Sequence, residues 1–257
     1  MLYKAFLYVR TTIFDIGYYG SGILFGALST LIWPFLPYQW RYRLINQWNR
    51  FVMFWLWFCC NIRIEVRGDI RNDLQPYVVM SKHQGVWETL YLQLFFQPIS
   101  TILKKELLRI PFFGWGLAAL KPIAIDRSNK TQALRDVKKK GVQAIKDGNN
   151  VLIFPEGTRT RPGQVVPYAR SGADIACTAG CPVIPVAHNG AECWPHKDSL
   201  KSPGTITMVI GEPISSEGKD RKQLTEEVRD WIESTAKTLP VGRKDGRRPW
   251  LESSPDQ

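Results

Sequence analysis

VLIFPEGTRTR, residues 151–161, runs from a continuous apolar stretch directly into a polar turn, and that junction sets how the rest of the chain is read. Val151 to Phe154 suits a strand covered on both faces, as in a parallel sheet flanked by helices. Gly157 then permits a tight backbone, Thr158 offers a hydroxyl, and Arg159 presents a planar fork of donors matched to a phosphate or carboxylate. At the end of a buried strand this composition reads as an anion-binding turn. The plainer alternative is that Glu156 and Arg159 pair with each other and shape a loop.

Working outward, similar short apolar runs occur at Tyr77–Met80, Pro122–Ile125, Pro182–Ala187 and Thr205–Ile210. Between them lie segments of helical period. Thr131–Asp147 gathers Ala133, Leu134, Val137, Ala144 and Ile145 roughly on one face, with Lys138, Lys139, Lys140 and Lys146 elsewhere and Gly148 closing it. A last helix over about Lys222–Thr238 carries Leu224, Val228, Trp231 and Ile232. Strands alternating with helices place the chain in the α/β class. Three regions are expected: a hydrophobic helical motif over 1–62, a catalytic domain over 63–240, and a polar, loosely ordered tail over 241–257.

SKHQGVWETLYL, residues 81–92, places His83 just after a strand and Glu88 five residues on. On one ideal helix the two would stand about 140° apart and could not meet. They meet if His83 lies in the turn before the helix and Glu88 in its first turns, with Gly85 allowing an unusual backbone angle between them. A carboxylate on one ring nitrogen would leave the other as a base and stabilise the imidazolium. A structural ion pair is the competing reading.

Two further stretches stand out. KKELLRIPFFGWGLAALKPIAIDR, residues 104–127, is amphipathic and aromatic, bracketed by Lys105 and Arg127, and by itself could be ordinary core. PVIPVAHNG, residues 182–190, runs a buried strand into His188, which reads as a structural histidine.

The amino end has a different character. Ile16 to Trp40 contains no charged residue, and Ile16–Trp33 alone approaches the roughly 20 residues that span a bilayer. No small-residue cleavage site follows, so the segment reads as retained rather than as a signal peptide. Lys4 and Arg10 precede it, Arg41, Arg43 and Arg50 follow it, and Pro34 and Pro37 break it before a second apolar stretch, Phe51–Ile62. Basic residues on both sides and five nearby tryptophans (Trp33, Trp40, Trp48, Trp55, Trp57) favour a re-entrant or interfacial hairpin over a simple span.

The net charge of +11 calls for a negative partner. Charge alone does not separate nucleic acid, anionic lipid and a phosphorylated substrate, but the apolar, aromatic amino end favours a membrane over nucleic acid, as do basic residues that are scattered rather than interleaved with exposed aromatics. Five cysteines without disulfide spacing fit a reducing compartment. Cys177, Cys181, His188, Cys193 and His196 fall close together but form no C-x2-C pair, so no metal site is expected. Serine-hydrolase, nucleotide-hydrolase and dinucleotide motifs are absent.

The four blocks, in this order and over roughly residues 60 to 215, resemble the glycerolipid acyltransferase family typified by bacterial 1-acyl-glycerol-3-phosphate acyltransferases of the PlsC type. The family pattern is H-x4-D, K-E-L…P…G…D-R, F-P-E-G-T-R-S and a V-P-V-like strand. Here it appears as His83 to Glu88, Lys105 to Arg127, FPEGTRT at 154–160 and IPVA at 184–187. One departure is Glu88, where the pattern has Asp.

The resemblance implies a mixed sheet flanked by helices behind a two-helix membrane motif. It further implies a cytoplasm-facing site on the cytoplasmic membrane, a lysophospholipid acceptor, acyl-CoA or acyl carrier protein as donor, and no metal or organic cofactor. His83 would be the base and Glu88 its orienting partner. Arg159, assisted by Lys105, would bind the acceptor phosphate, with Arg127 in the same binding set and Glu156, Gly157 and Thr158 shaping that site. The leading expectation is acylation of lysophosphatidate to phosphatidate. Another lyso-lipid acceptor, or a non-catalytic membrane protein retaining the fold, are the alternatives.

Overall fold

The computed structural model describes residues 2–126, 128–196 and 200–247. Two long helices come first, α1 (Leu2–Ile32) and α2 (Tyr38–Cys60), joined by a short turn at Trp33–Phe35 where Pro34 and Pro37 interrupt the backbone ladder. They pack antiparallel. Arg10 reaches the Cys59 carbonyl, the Trp55 indole donates to the Phe14 carbonyl at 3.2 Å, and the Trp48 indole donates to the Ser21 hydroxyl at 3.1 Å. The hairpin is longer than the sequence suggests: α1 starts at Leu2, and α2 begins well before Phe51. Arg41 is accommodated because it folds back to donate to the Leu36 carbonyl at 2.6 Å and lies over the Trp33 ring.

Asn61 in the left-handed region ends α2 and turns the chain into a seven-stranded sheet. In chain order the strands are β1 (Ile62–Arg67), β2 (Val78–Ser81), β3 (Ile99–Lys104), β4 (Ile123–Ile125), β5 (Asn150–Ile153), β6 (Val183–His188) and β7 (Gly204–Ile210). Their spatial order is β1-β7-β6-β2-β5-β3-β4. All neighbours are parallel except β6 and β7, so the sheet is mixed. The helices between them are α3 (Trp87–Phe95), α4 (Phe113–Ala118), α5 (Lys130–Lys146), α6 (Ser171–Ala179), the single turn α7 (Gly190–Cys193) and α8 (Arg221–Thr238).

The five expected strands are present. β1 and β3 were not expected. β1 is an edge strand whose alternate residues Arg63 and Glu65 face out, so IRIEVR lacks a continuous apolar run. β3 is interrupted by Ser100 and Thr101, both buried.

Alternation along the central strands divides the core between two faces. Val79, Leu152, Ile184 and Val186 point to one side with Val52 and Leu56 of α2 and Leu92 of α3. Val78, Met80, Val151, Ile153 and Val183 point to the other, against Val137 of α5, Ile175 of α6 and Leu224, Val228 and Ile232 of α8. Phe14 of α1 belongs to the first cluster and meets Trp194 edge to face, and Lys201 pairs with Asp15 at 2.7 Å. The hairpin and the sheet therefore share one core across the expected boundary at residue 62.

The outward side of α1 remains bare. Ile16, Tyr19, Ile23, Leu24, Leu28 and Leu31 are exposed, and Leu2–Phe35 is long and apolar enough to cross a membrane by length and composition. An apolar helix face left open on this scale is suited to contact with a membrane.

The tail expectation fails in its first part. Gly242 donates to Glu192 at 2.5 Å and accepts from the Thr205 amide at 2.7 Å, and Arg243 bridges to Gly204, so residues 240–244 lie against the start of β7. Residues 248–257 lie outside the described residues.

Candidate active site

β2 and β5 are neighbours in parallel register, with Met80 opposite Ile153. Their carboxyl ends therefore stop at the same level, and the loops that follow, 82–86 and 154–160, must meet. Crevices outside the carboxyl ends of parallel strands are where α/β sheets commonly gather functional groups. β6, the other neighbour of β2, brings His188 to the same end, with Ser81 opposite Val186.

His83 sits in the turn before α3, and Glu88 lies in that helix's first turn, the arrangement the five-residue spacing required. His83 Nδ1 is 2.9 Å from Glu88 Oε1. The same oxygen accepts the amides of Gln84 and Gly85, each at 2.7 Å. With Nδ1–H committed to the carboxylate, Nε2 carries the lone pair. The ring stacks on Phe154, 4.2 Å between centroids, and its side chain remains 17% accessible, whereas Glu88 is fully buried.

Burial pushes the Glu88 carboxyl up. The hydrogen bond from His83, the neighbouring histidines His188 and His83, and the Gly85 amide outweigh it and bring the group down to about 2. Gly85 has no left-handed angle, contrary to expectation. Its role is steric, because a Cβ there would lie 2.9 Å from the Trp194 carbonyl oxygen.

The loop after β5 is built as its residue types suggest in one respect and differently in another. Gly157 occupies the left-handed region at φ +69°. Glu156 does not pair with Arg159. It turns inward, where Oε2 accepts the His83 amide at 2.5 Å, Oε1 accepts the Thr160 hydroxyl at 3.0 Å, and Lys82 stands 3.4 Å away. The Thr160 amide donates to the His83 carbonyl at 2.8 Å, so the two loops are stitched through His83 itself. Arg159 faces outward with its Nη1 3.2 Å from Nδ1 of His196.

His83, Gly157, Thr158, Arg159 and His196 line one end of a cavity of about 980 Å3. Its other walls are mostly apolar, from Phe25 of α1, Leu90 of α3, Leu117 of α4 and Leu134 and Val137 of α5. A cavity with a polar, cationic mouth beside a histidine and an oily interior suits an amphipathic molecule with an anionic head.

Lys105 stands apart from the cavity wall, to which its neighbour Lys104 contributes. Lys105 is exposed, and the register of Lys104 opposite Ile125 sets it beside Asp126. Arg127 lies outside the described residues. Among the described residues no group of three or more His, Cys, Asp or Glu side chains is placed to hold a metal ion. Cys181 and Cys193 belong to different core clusters on opposite faces of the sheet.

The acyltransferase family profile matches residues 63–189, the span that carries both loops. A 1-acyl-sn-glycerol-3-phosphate acyltransferase of Pseudomonas aeruginosa is 43% identical over 241 residues, covering 92% of this chain and 94% of that one. This chain belongs to the acyltransferase family. The acyltransferase of the same description from Saccharomyces cerevisiae is 26% identical over 242 residues, covering 90% of this chain and 78% of its own. The crystal structure of the 1-acyl-sn-glycerophosphate (LPA) acyltransferase PlsC from Thermotoga maritima shares the fold, with a TM-score of 0.75 at 22% identity over 91% of this chain and 96% of that one.

Several residues of this acyltransferase site carry no local sequence signal. Buried Lys82 and Tyr168 and the partly buried Glu233 form a network behind His83, and only the tertiary fold brings them together. His188, read as structural, is 1% exposed and holds the Lys82 carbonyl at 3.0 Å through Nε2 while its Nδ1 accepts the Gly190 amide at 3.2 Å. That tautomer is neutral, and burial, the largest influence, pushes its pKa down.

Proposed function

We propose that this protein moves a fatty acyl group from a thioester carrier to the free hydroxyl of lysophosphatidate at a membrane surface, giving phosphatidate. The observation that carries the reading is a histidine with one ring nitrogen engaged by a buried carboxylate, placed at the cationic mouth of an apolar cavity.

In this reaction the acceptor oxygen attacks the thioester carbonyl carbon while its proton passes to Nε2 of His83. Glu88 faces the imidazolium that results, and general-base help of this kind is worth about 10²- to 10⁴-fold in rate. As the C–S bond breaks, the proton returns to the departing sulfur, so the histidine ends as it began and no acyl-enzyme forms. Arg159 holds the acceptor phosphate through charge-assisted hydrogen bonds, with Thr158 beside it. Lys105, exposed beside Asp126, attracts an anionic headgroup or carrier toward the site. The fatty chains occupy the apolar part of the cavity.

The carrier is acyl-CoA or acyl carrier protein, and the site faces the cytoplasm from the cytoplasmic membrane, where both carriers reside. The bare face of α1 supports the membrane association on which this placement rests.

The acceptor assignment is tested by supplying labelled acyl donor with lysophosphatidate and with lyso-lipids whose phosphate is esterified to a further headgroup. Lysophosphatidate should be preferred at least several-fold in kcat/KM. Transfer to the diesters with none to lysophosphatidate would leave the reaction class and discard the acceptor.

A further inference from the structure

We infer that Glu233, on the last helix α8, is a positioning residue for His83, acting through Lys82 and Glu156. Lys82 immediately precedes His83, yet its side chain is 2% accessible and points into the protein. Its ammonium lies 2.7 Å from Glu233 Oε1, 3.4 Å from Glu156 Oε1 and 3.5 Å from the Gln164 carbonyl. The hydroxyl of Tyr168 donates to the same Glu233 oxygen at 2.9 Å. Glu156 carries the chain onward, since its other oxygen takes the His83 amide.

The path thus runs from α8 to the backbone of the histidine in three charged or polar steps, across 151 residues of sequence between Lys82 and Glu233. Glu233 lies beyond residues 63–189, the span matched by the family profile.

Two carboxylates share one ammonium here, and that makes the arrangement sensitive. Burial pushes the Glu156 carboxyl up, and Lys82 is the largest of the influences opposing it. If Glu233 loses its charge, the ammonium has one carboxylate left and is drawn toward Glu156. Glu156 is the group that fixes the His83 amide, so the displacement reaches the imidazole. Buried ion pairs contribute little net stability compared with apolar packing, so stability alone does not account for three polar groups gathered behind the loop. The Lys82 carbonyl is held separately by His188, which leaves the ammonium as the adjustable end.

The inference rests on the reading of His83 as the base, and the test separates the two. Wild type, His83→Ala, Glu233→Gln, Lys82→Gln, the Glu233→Gln/Lys82→Gln double variant and Glu227→Gln are assayed as full-length protein in membranes, with melting midpoints measured in detergent. Glu227 is an exposed residue of the same helix, paired with Lys219, and its variant should match wild type.

Glu233→Gln should lose about ten-fold in kcat with the acceptor KM within about two-fold, at a melting midpoint lowered by the loss of a charge-assisted bond but well above the assay temperature. Because both changes break one path, the double variant should be no worse than Lys82→Gln alone. Wild-type kcat in Glu233→Gln, or losses that simply multiply in the double variant, would overturn the inference while leaving His83 as base. Activity in His83→Ala would instead sink the underlying reading. If Lys82→Gln does not accumulate, Tyr168→Phe decides. It should lower kcat a few-fold without raising KM, and an unchanged kcat would refute the path.

Discussion

Glu88 Oε1 collects three donors at once: the ring of His83 at 2.9 Å and the amides of Gln84 and Gly85 at 2.7 Å. The carboxylate is therefore both partner of the imidazole and organiser of the turn that carries it. That double duty suits a glutamate at the start of α3, whose extra methylene reaches back over the loop.

Glu88→Gln keeps the shape and an acceptor oxygen but removes the charge facing the imidazolium. We expect kcat to fall by roughly 10²-fold or more, with the melting midpoint lowered because charge-assisted bonds to backbone amides are lost. Glu88→Asp retains the charge but must retract, and should retain more activity than Glu88→Gln. Steady-state kinetics on matched membrane preparations check both, and equal activity for wild type and Glu88→Gln would remove the carboxylate from the account.

Stability should decline with acid in two stages. His188 is buried neutral and its pKa is lowered, so below its ordinary value of 6.5 the unfolded chain binds a proton that the native one refuses. Glu88 titrates near 2 in the native state and near 4.5 when unfolded, so its contribution is fully present above 4.5 and is lost as the pH falls toward 2. Thermal midpoints measured from pH 7.5 to 5 should therefore fall more steeply for wild type than for His188→Gln. Parallel curves would mean that the ring is not held neutral.

Arg159→Ala should raise the acceptor KM about ten-fold or more while leaving kcat close to wild type, because the guanidinium binds the phosphate equally in ground and transition states. Initial rates over a range of lysophosphatidate concentrations separate the constants. A fall in kcat at constant KM would move Arg159 toward the reacting carbonyl.

Gly26 is where α1 and α4 touch: a Cβ there would lie 2.8 Å from the Phe112 carbonyl carbon and 2.9 Å from its Cβ. Backbone cannot yield as a flexible side chain would, so Gly26→Val should cost about 1–3 kcal/mol. It should also reduce activity, since both helices wall the cavity. A variant with unchanged melting and turnover would show that the two helices part freely.

The parts of this protein legible in its sequence are those where one strand and its following turn suffice. VVM and VLI are apolar on consecutive residues because both faces of the sheet are covered, and the turns that carry His83 and Phe154 follow directly. Parallel pairing then brings His83 and the loop after β5 together, which is why those residues could be named without a structure. IRIEVR carries no continuous apolar run because an edge strand needs an apolar residue only at every second place. The amphipathic block at 104–127 was legible as a motif but not in its placement, since Lys104 rather than Lys105 walls the cavity. The plainer alternative, a Glu156–Arg159 pair suggested by sequence proximity, does not hold, because Glu156 turns toward Lys82, a partner on another strand's loop. Lys82 and Glu233 illustrate the limit: a lysine in a loop and a glutamate on an amphipathic helix look like solvent-facing charges until the fold buries them together.

The central claim is that His83 is the base of an acyl transfer. It is tested most directly by following labelled acyl group from acyl-CoA or acyl carrier protein into phosphatidate, in membranes holding equal amounts of wild type and His83→Ala. Product from wild type and a loss of about 10²-fold or more in the variant, with the variant still folded at the assay temperature, is the predicted result. Equal rates from the two proteins would contradict it.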